Sequence, residues 1–155
     1  MDVQGRDVEL LRRRLKGLRE RYVKAVIMFG SRARGESAKR SDVDLLVLHD
    51  GCEVEDPIMR RSVLYNLIRG AIGGEYEDVT VIDMELERFL DPKEITALLL
   101  NLYWDGIVVY DETGAVESFL RHVRERIVNS GLKRARDGRA YYWTLPKPMK
   151  DVRIL

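Results

Sequence analysis

Tyr22-Val23-Lys24-Ala25-Val26-Ile27-Met28-Phe29-Gly30-Ser31, ten residues of mostly small, polar and basic character, then Asp42-Val43-Asp44-Leu45-Leu46-Val47-Leu48-His49. Two β-prone, largely apolar runs stand on either side of a loop, and the first stops at a glycine. Side chains alternate faces along a strand, so Asp42 and Asp44 point the same way while Val43 points into the core. The two carboxylates then lie about 6–7 Å apart along the strand. They repel one another unless a cation sits between them. Oxygen-only donors on a rigid strand favour a hard cation, Mg²⁺ or Mn²⁺, bound through one or two carboxylates plus phosphate oxygens. Gly30 lets a backbone approach a phosphate closely, and the Ser31 hydroxyl with neighbouring N–H groups can cradle phosphate oxygens. Arg32, Arg34, Lys39 and Arg40 occupy the same loop and supply charge for a triphosphate. Arg32 is the first choice because it adjoins Ser31. Ten residues suffice to turn the chain back, so Gly30-Ser31 and the Asp pair are expected to flank one cleft.

Working outward, a two-cation site needs a third carboxylate. Asp78 opens a further strand, Asp78-Val79-Thr80-Val81-Ile82-Asp83, and is the candidate; Glu77 and Asp83 compete with it. Asp83 precedes a helical stretch and reads as a helix N-cap. Val8, Leu11, Leu15, Leu18 and Tyr22 recur at steps of three and four, the stripe of an amphipathic helix. Ile58, Leu64, Leu67, Ile68, Ala71 and Ile72 mark another, ended by Gly73-Gly74. Helical stretches around 85–90 and 93–104, a short strand at Gly106–Tyr110 and a last helix through Val116, Phe119, Leu120, Val123 and Ile127 complete the pattern. These elements predict an α/β (α+β) domain over residues 1–130, its core at 22–110, followed by a basic and aromatic tail at 131–155.

Composition bounds the rest. A chain of 155 residues with 45% apolar and 34% charged residues fits one globular domain. A net charge of +1 announces no nucleic-acid partner. Arg outnumbers Lys 20 to 7 while Gln and Asn are scarce, a balance compatible with life at high temperature. Cys52 is alone beside acidic residues, which excludes an intrachain disulfide and argues against a reactive thiol. No apolar run approaches ~18 residues and the N-terminus lacks an apolar signal core, so a cytoplasmic location is expected and no membrane contact. His49 and His122 read as structural or exposed. The tail, with Lys133, Arg134, Arg136, Arg139, Tyr141, Tyr142 and Trp143, reads as docked on its own domain or on a protein partner rather than on nucleic acid. The first helix is a candidate homodimer surface, though packing on its own sheet is the default.

Phe29-Gly30-Ser31, the ten-residue gap, Asp42-Val43-Asp44-Leu45 and the later Asp78-Val79-Thr80-Val81 together resemble the DNA polymerase β-type nucleotidyltransferase superfamily, and within it the small prokaryotic minimal nucleotidyltransferases. The resemblance runs from Tyr22 to Tyr110. It implies a small mixed sheet of about four strands flanked by helices, with the C-terminal helix and tail as additions. It implies an NTP donor, ATP by default, and two Mg²⁺ ions. Asp42, Asp44 and Asp78 would be the catalytic metal ligands, and Gly30 and Ser31, with Arg32, would bind the triphosphate. Members of that branch are often paired with helical HEPN-type toxins, so the resemblance also implies AMP transfer to a tyrosine of such a partner, an antitoxin role. Two other readings stay open: transfer to a small molecule or RNA, and a partner-binding module with little or no catalysis.

Overall fold

The computed structural model describes residues 2–36, 42–146 and 151–155; Lys39 and Arg40 lie outside them. In chain order the elements are α1 (Val3–Leu15), β1 (Val23–Phe29), α2 (Gly30–Ala33), β2 (Asp42–His49), α3 (Pro57–Ile72), β3 (Asp78–Glu85), α4 (Leu86–Leu90), α5 (Ala97–Asp105), β4 (Ile107–Asp111), α6 (Val116–Ser130), β5 (Lys133–Asp137) and β6 (Ala140–Thr144). Four strands form one mixed sheet in the order β3-β2-β1-β4. β1 runs antiparallel to both β2 and β4, while β2 and β3 are parallel and joined through α3. The expected mixed sheet flanked by helices is what the chain forms.

The strands are apolar on both sides because helices cover both faces. Val43, Leu45 and Val47 of β2 join Val26 and Met28 beneath α1 and α3, whose Leu11, Leu15, Leu64, Ile68 and Ile72 are fully buried. Leu46 and Leu48 share the opposite face with Ala25 and Ile27, under Leu99, Leu102 and Tyr103 of α5 and Leu120, Val123 and Ile127 of α6. Asp42 and Asp44 belong to this second face by alternation. The helices start where local chemistry satisfies their first N–H groups: Asp2 caps α1, Asp56 caps α3 ahead of Pro57, and Thr96 caps α5.

Three expectations change. The first helix stops at Leu15, and Leu18 and Tyr22 reach the same core cluster from the connecting loop. The helix expected from 93 begins at Ala97, behind the Thr96 cap. Asp83 is not a cap: β3 runs on to Glu85, which stands at the N-cap of α4 without a side-chain bond, and Asp83 is held inside the sheet layer by Arg60 and the His49 ring. The tail contains a hairpin, β5 and β6, joined at Gly138-Arg139, with Gly138 at a φ of 61°. A glycine first in a two-residue loop is what the favoured hairpin turn requires. The hairpin docks on the domain through Trp143 against Trp104 and through Arg134 paired with Asp105 at 2.7 Å. Among the described residues no helix is long and apolar enough to cross a membrane.

Candidate active site

β1 delivers Gly30 directly against β2. Phe29 pairs with Asp44 across the antiparallel ladder, so the chain leaves the sheet at Gly30 beside that carboxylate. Gly30 has a φ of 74°, and a Cβ built on it would overlap Asp44 Oδ2 and stand 3.1 Å from Cγ. Two independent constraints therefore demand glycine there: the left-handed backbone and the close approach of a charged group. Ser31 follows in the single turn α2, whose N-terminal end at Phe29 has no side-chain cap. Its carbonyl accepts the Glu36 N–H at 2.9 Å, which folds the start of the loop back on itself.

The parallel register sets Asp78 beside Asp42 and Thr80 beside Asp44. All four side chains emerge on one face, at one end of two adjacent strands. Asp44 is half-buried, and its carboxyl is pushed above the ordinary carboxylate value. Burial is the largest cause; a hydrogen bond from Thr80 opposes it, Asp42 adds repulsion, and the Arg34 charge acts weakly the other way. Asp42 and Asp78 are exposed at the strand ends.

These donors are hard oxygens, one of them a carboxylate that burial and a like charge make costly to ionise. A divalent cation relieves both costs, so the pair fits such an ion. Among the described residues no three His, Cys, Asp or Glu side chains are gathered closely enough to hold a metal by themselves. Asp42 and Asp44 thus form a two-carboxylate mount with Asp78 alongside, open to oxygens from a ligand.

Asp83 lies at the other end of β3, in register with Val47, and alternation turns it to the opposite face. There His49 Nε2 and Arg60 Nε stand 3.0 and 2.8 Å from its Oδ2. Asp83 and the mount are separate features.

Arg32 is placed differently from its neighbours in the motif. Its side chain is 3% exposed and pairs with Asp7 of α1 at 3.0 Å. Its Nε donates to the Asp42 carbonyl, and its guanidinium lies 5.0 Å from the centre of the Tyr76 ring. The Tyr76 hydroxyl donates to the other Asp7 oxygen at 2.9 Å. Burial and the Asp7 carboxylate push the Tyr76 hydroxyl well above its ordinary pKa, so it stays a donor. Among the described residues of this loop, Arg34 is the cation that acts on Asp44; it is held by Glu36 at 3.0 Å and Asp105 at 3.3 Å and stacks 4.7 Å from the Tyr141 ring. Tyr141 donates to Glu36, so the hairpin braces the loop that carries Gly30 and Ser31. Asp7 escaped the sequence reading although a signal existed: it precedes Leu11 and Leu15 at steps of four, an acid on a buried helical stripe.

Residues 11–133 match the family described as nucleotidyltransferase domain. The chain belongs to that family. Two provisionally named protein adenylyltransferases of Methanocaldococcus jannaschii are similar to it. MJ1379 is 46% identical over 43 residues, which is 27% of this chain and 43% of the relative. MJ1215 is 50% identical over 40 residues, 25% of this chain and 46% of the relative. The match therefore spans less than half the length of either relative. Among solved structures, a provisionally named nucleotidyltransferase from Sulfolobus solfataricus superimposes with a TM-score of 0.46 at 21% identity, covering 70% of this chain and 84% of that one. A toxin–antitoxin structure with AMP-PNP superimposes at 0.41 with 17% identity, covering 82% of this chain and 94% of that one. In this nucleotidyltransferase domain the Gly-Ser turn and the Asp pair lie side by side, across one strand-strand ladder.

Proposed function

We propose that the protein transfers a nucleoside monophosphate, AMP by default, from an NTP to an acceptor hydroxyl. The observation that carries this reading is Asp44: a half-buried carboxylate facing another carboxylate, pressed on a glycine that no other residue can replace. In this reading the Gly30 and Ser31 backbone and the Ser31 hydroxyl receive the triphosphate, and Arg34 supplies the cationic role that adjacency had suggested for Arg32. Asp42 and Asp44, with Asp78, hold Mg²⁺ or Mn²⁺, two ions with the nucleotide in place. Bound there, the cations supply charge neutralisation for the attacking and leaving oxygens. Asp78 stands at the strand end, exposed, where it orients the acceptor hydroxyl and takes its proton. The acceptor oxygen bonds to the α-phosphorus, the bond to the bridging oxygen breaks, and pyrophosphate departs. Catalysis of this kind is positioning and electrostatics, which suits a site mounted on strand ends rather than on a free loop.

The acceptor in our reading is a protein tyrosine on a helical HEPN-type partner, which makes the chain an antitoxin. Support comes from the motif's likeness to minimal nucleotidyltransferases and from the names of the two archaeal relatives. The test is incubation of purified protein with Mg²⁺, each α-³²P-labelled NTP and host lysate, beside an Asp42→Asn/Asp44→Asn control. Label on a protein band that requires both carboxylates is the expected result. Equal labelling by the double variant would sink the assignment, and label on RNA would move the acceptor.

A further inference from the structure

Among the described residues, Arg32 is the most enclosed charge near the Gly30-Ser31 turn, and Asp7, Tyr76 and the Asp42 carbonyl reach it from three different segments. Asp7 belongs to α1, Tyr76 to the turn before β3, and the Asp42 carbonyl to the first residue of β2. Arg32 itself sits in α2, directly after Gly30-Ser31. Its guanidinium thus ties the two halves of the motif together across the ten-residue gap that separates them in sequence. α1 grips the same turn a second time, because Gln4 donates to the Ala33 carbonyl. Tyr76 belongs to the apolar cluster under α1 and α3, so the network lies on the sheet face opposite the Asp42 and Asp44 carboxylates. It buttresses the mount from behind, out of reach of a ligand on the other face.

We propose that Arg32, anchored by Asp7 and Tyr76, is a positioning residue that fixes the spacing between the Gly30-Ser31 turn and Asp42. This rests on the nucleotidyltransferase reading above and extends the site's machinery to α1 and to the turn before β3. A planar guanidinium satisfies the three demands together: it bonds the carboxylate, bonds the carbonyl with another nitrogen, and stacks on the ring. A lysine ammonium keeps the charge pair with Asp7 but has neither the fork nor the flat face. Charge and geometry are therefore separable by substitution. The Tyr76 hydroxyl orients Asp7, which in turn holds the fork, so Tyr76→Phe acts at one remove.

The experiment compares Arg32→Lys, Arg32→Ala and Tyr76→Phe with the wild type. It reads NTP kinetics, thermal midpoint and residue-resolved amide exchange. For Arg32→Lys the expected result is a midpoint near wild type, kcat lowered on the order of 10- to 100-fold and KM for the NTP within about three-fold. Exchange should quicken at residues 29–31 and 42–44 and nowhere else. Tyr76→Phe should give the same local exchange with a smaller loss of kcat. Arg32→Ala should lower the midpoint as well, since it strands Asp7. Wild-type kcat in Arg32→Lys would overturn the proposal, because charge pairing alone would then suffice. A uniform rise in exchange would also overturn it, as a merely structural role predicts. If the wild type transfers no nucleotide, the function reading fails by itself. The exchange arm still decides positioning: local loosening supports it and an unchanged pattern overturns it.

Discussion

Asp44 and Asp83 sit on neighbouring strands of one sheet, both withdrawn from water, and the fold treats them in opposite ways. Asp83, with its side chain 4% exposed, has a histidine and an arginine within 3.0 Å and the Arg61 guanidinium 3.8 Å away. Asp44 receives a hydroxyl hydrogen bond from Thr80, feels the Arg34 charge weakly, and faces the repulsion of Asp42. Burying a carboxylate costs free energy unless it is paired, and the chain offsets that cost at one position and leaves it standing at the other. Asp83 is a structural anion, its charge consumed by α3. Asp44 keeps a cost that no neighbouring cation offsets in full, and in the proposed function a bound cation offsets it. The difference separates a clasp from a site, though both are aspartates on adjacent parallel strands.

The two aspartates should differ most in turnover. If the proposed function holds, Asp42→Asn or Asp44→Asn lowers nucleotidyl transfer on the order of 10³-fold while the fold persists, because the carboxylates proposed to hold the cations are lost. Circular dichroism beside the transfer assay checks both halves, and retained turnover would place the chemistry elsewhere. Asp83→Asn should do the reverse. It removes the negative charge beside Arg60 and His49 and should cost about 2–3 kcal/mol, toward the low side for a buried pair because Arg60 keeps some solvent. In a chain of this size that is a fall of roughly 5–10 °C in thermal midpoint, with kcat per folded molecule unchanged. A fall in kcat without a fall in midpoint would mean that Asp83 serves the site after all.

Much of this contrast is legible in sequence, and the rest is not, for physical reasons. The period of two along Asp42-Val43-Asp44 dictates a shared face whatever the fold, and the apolar run to Leu48 dictates a strand. Which carboxylate on β3 joins them is not local: it depends on the parallel register that sets Asp78 beside Asp42 and turns Asp83 away. The direction of Arg32 is equally non-local, since its acidic partner lies 25 residues upstream on α1. Adjacency to Ser31 suggested a phosphate contact, but a single helical turn rotates neighbouring side chains to different sides. The hairpin had a local signal in Asp137-Gly138, flanked by Arg134 and Arg136 on one side and Tyr141 and Trp143 on the other. The basic and aromatic composition of the tail drew attention to what it binds and away from its alternation.

Adding a divalent cation should have a smaller effect. Mg²⁺ titrated into the wild type should add about 1.4 kcal/mol of stability when the ion stands at ten times its dissociation constant, and raise the thermal midpoint accordingly. Asp44→Asn should lose that shift and Asp83→Asn should keep it. A shift of equal size in all three proteins, followed by calorimetry, would show that the ion binds away from Asp44.

The smallest effect has the least obvious sign. Asp44 is raised above the ordinary carboxylate value in the folded state, so the folded protein holds its proton more tightly than the unfolded chain does. Across the window from the ordinary carboxylate value up to the raised one, the unfolded state binds fewer protons, and stability falls as pH rises. Above that window and without divalent cations the charge on Asp44 is therefore a net cost, relieved by neither Thr80 nor Arg34 in full. Asp44→Asn removes the charge while an amide oxygen can still accept from Thr80. The variant that loses turnover should accordingly be the more stable protein in chelator above that window. Its advantage should shrink as pH drops into the carboxylate range, where the wild type picks up its proton. Denaturant melts at a series of pH values measure this directly. An Asn variant less stable than wild type at every pH would mean that the fold, and not an absent cation, is what Asp44 serves.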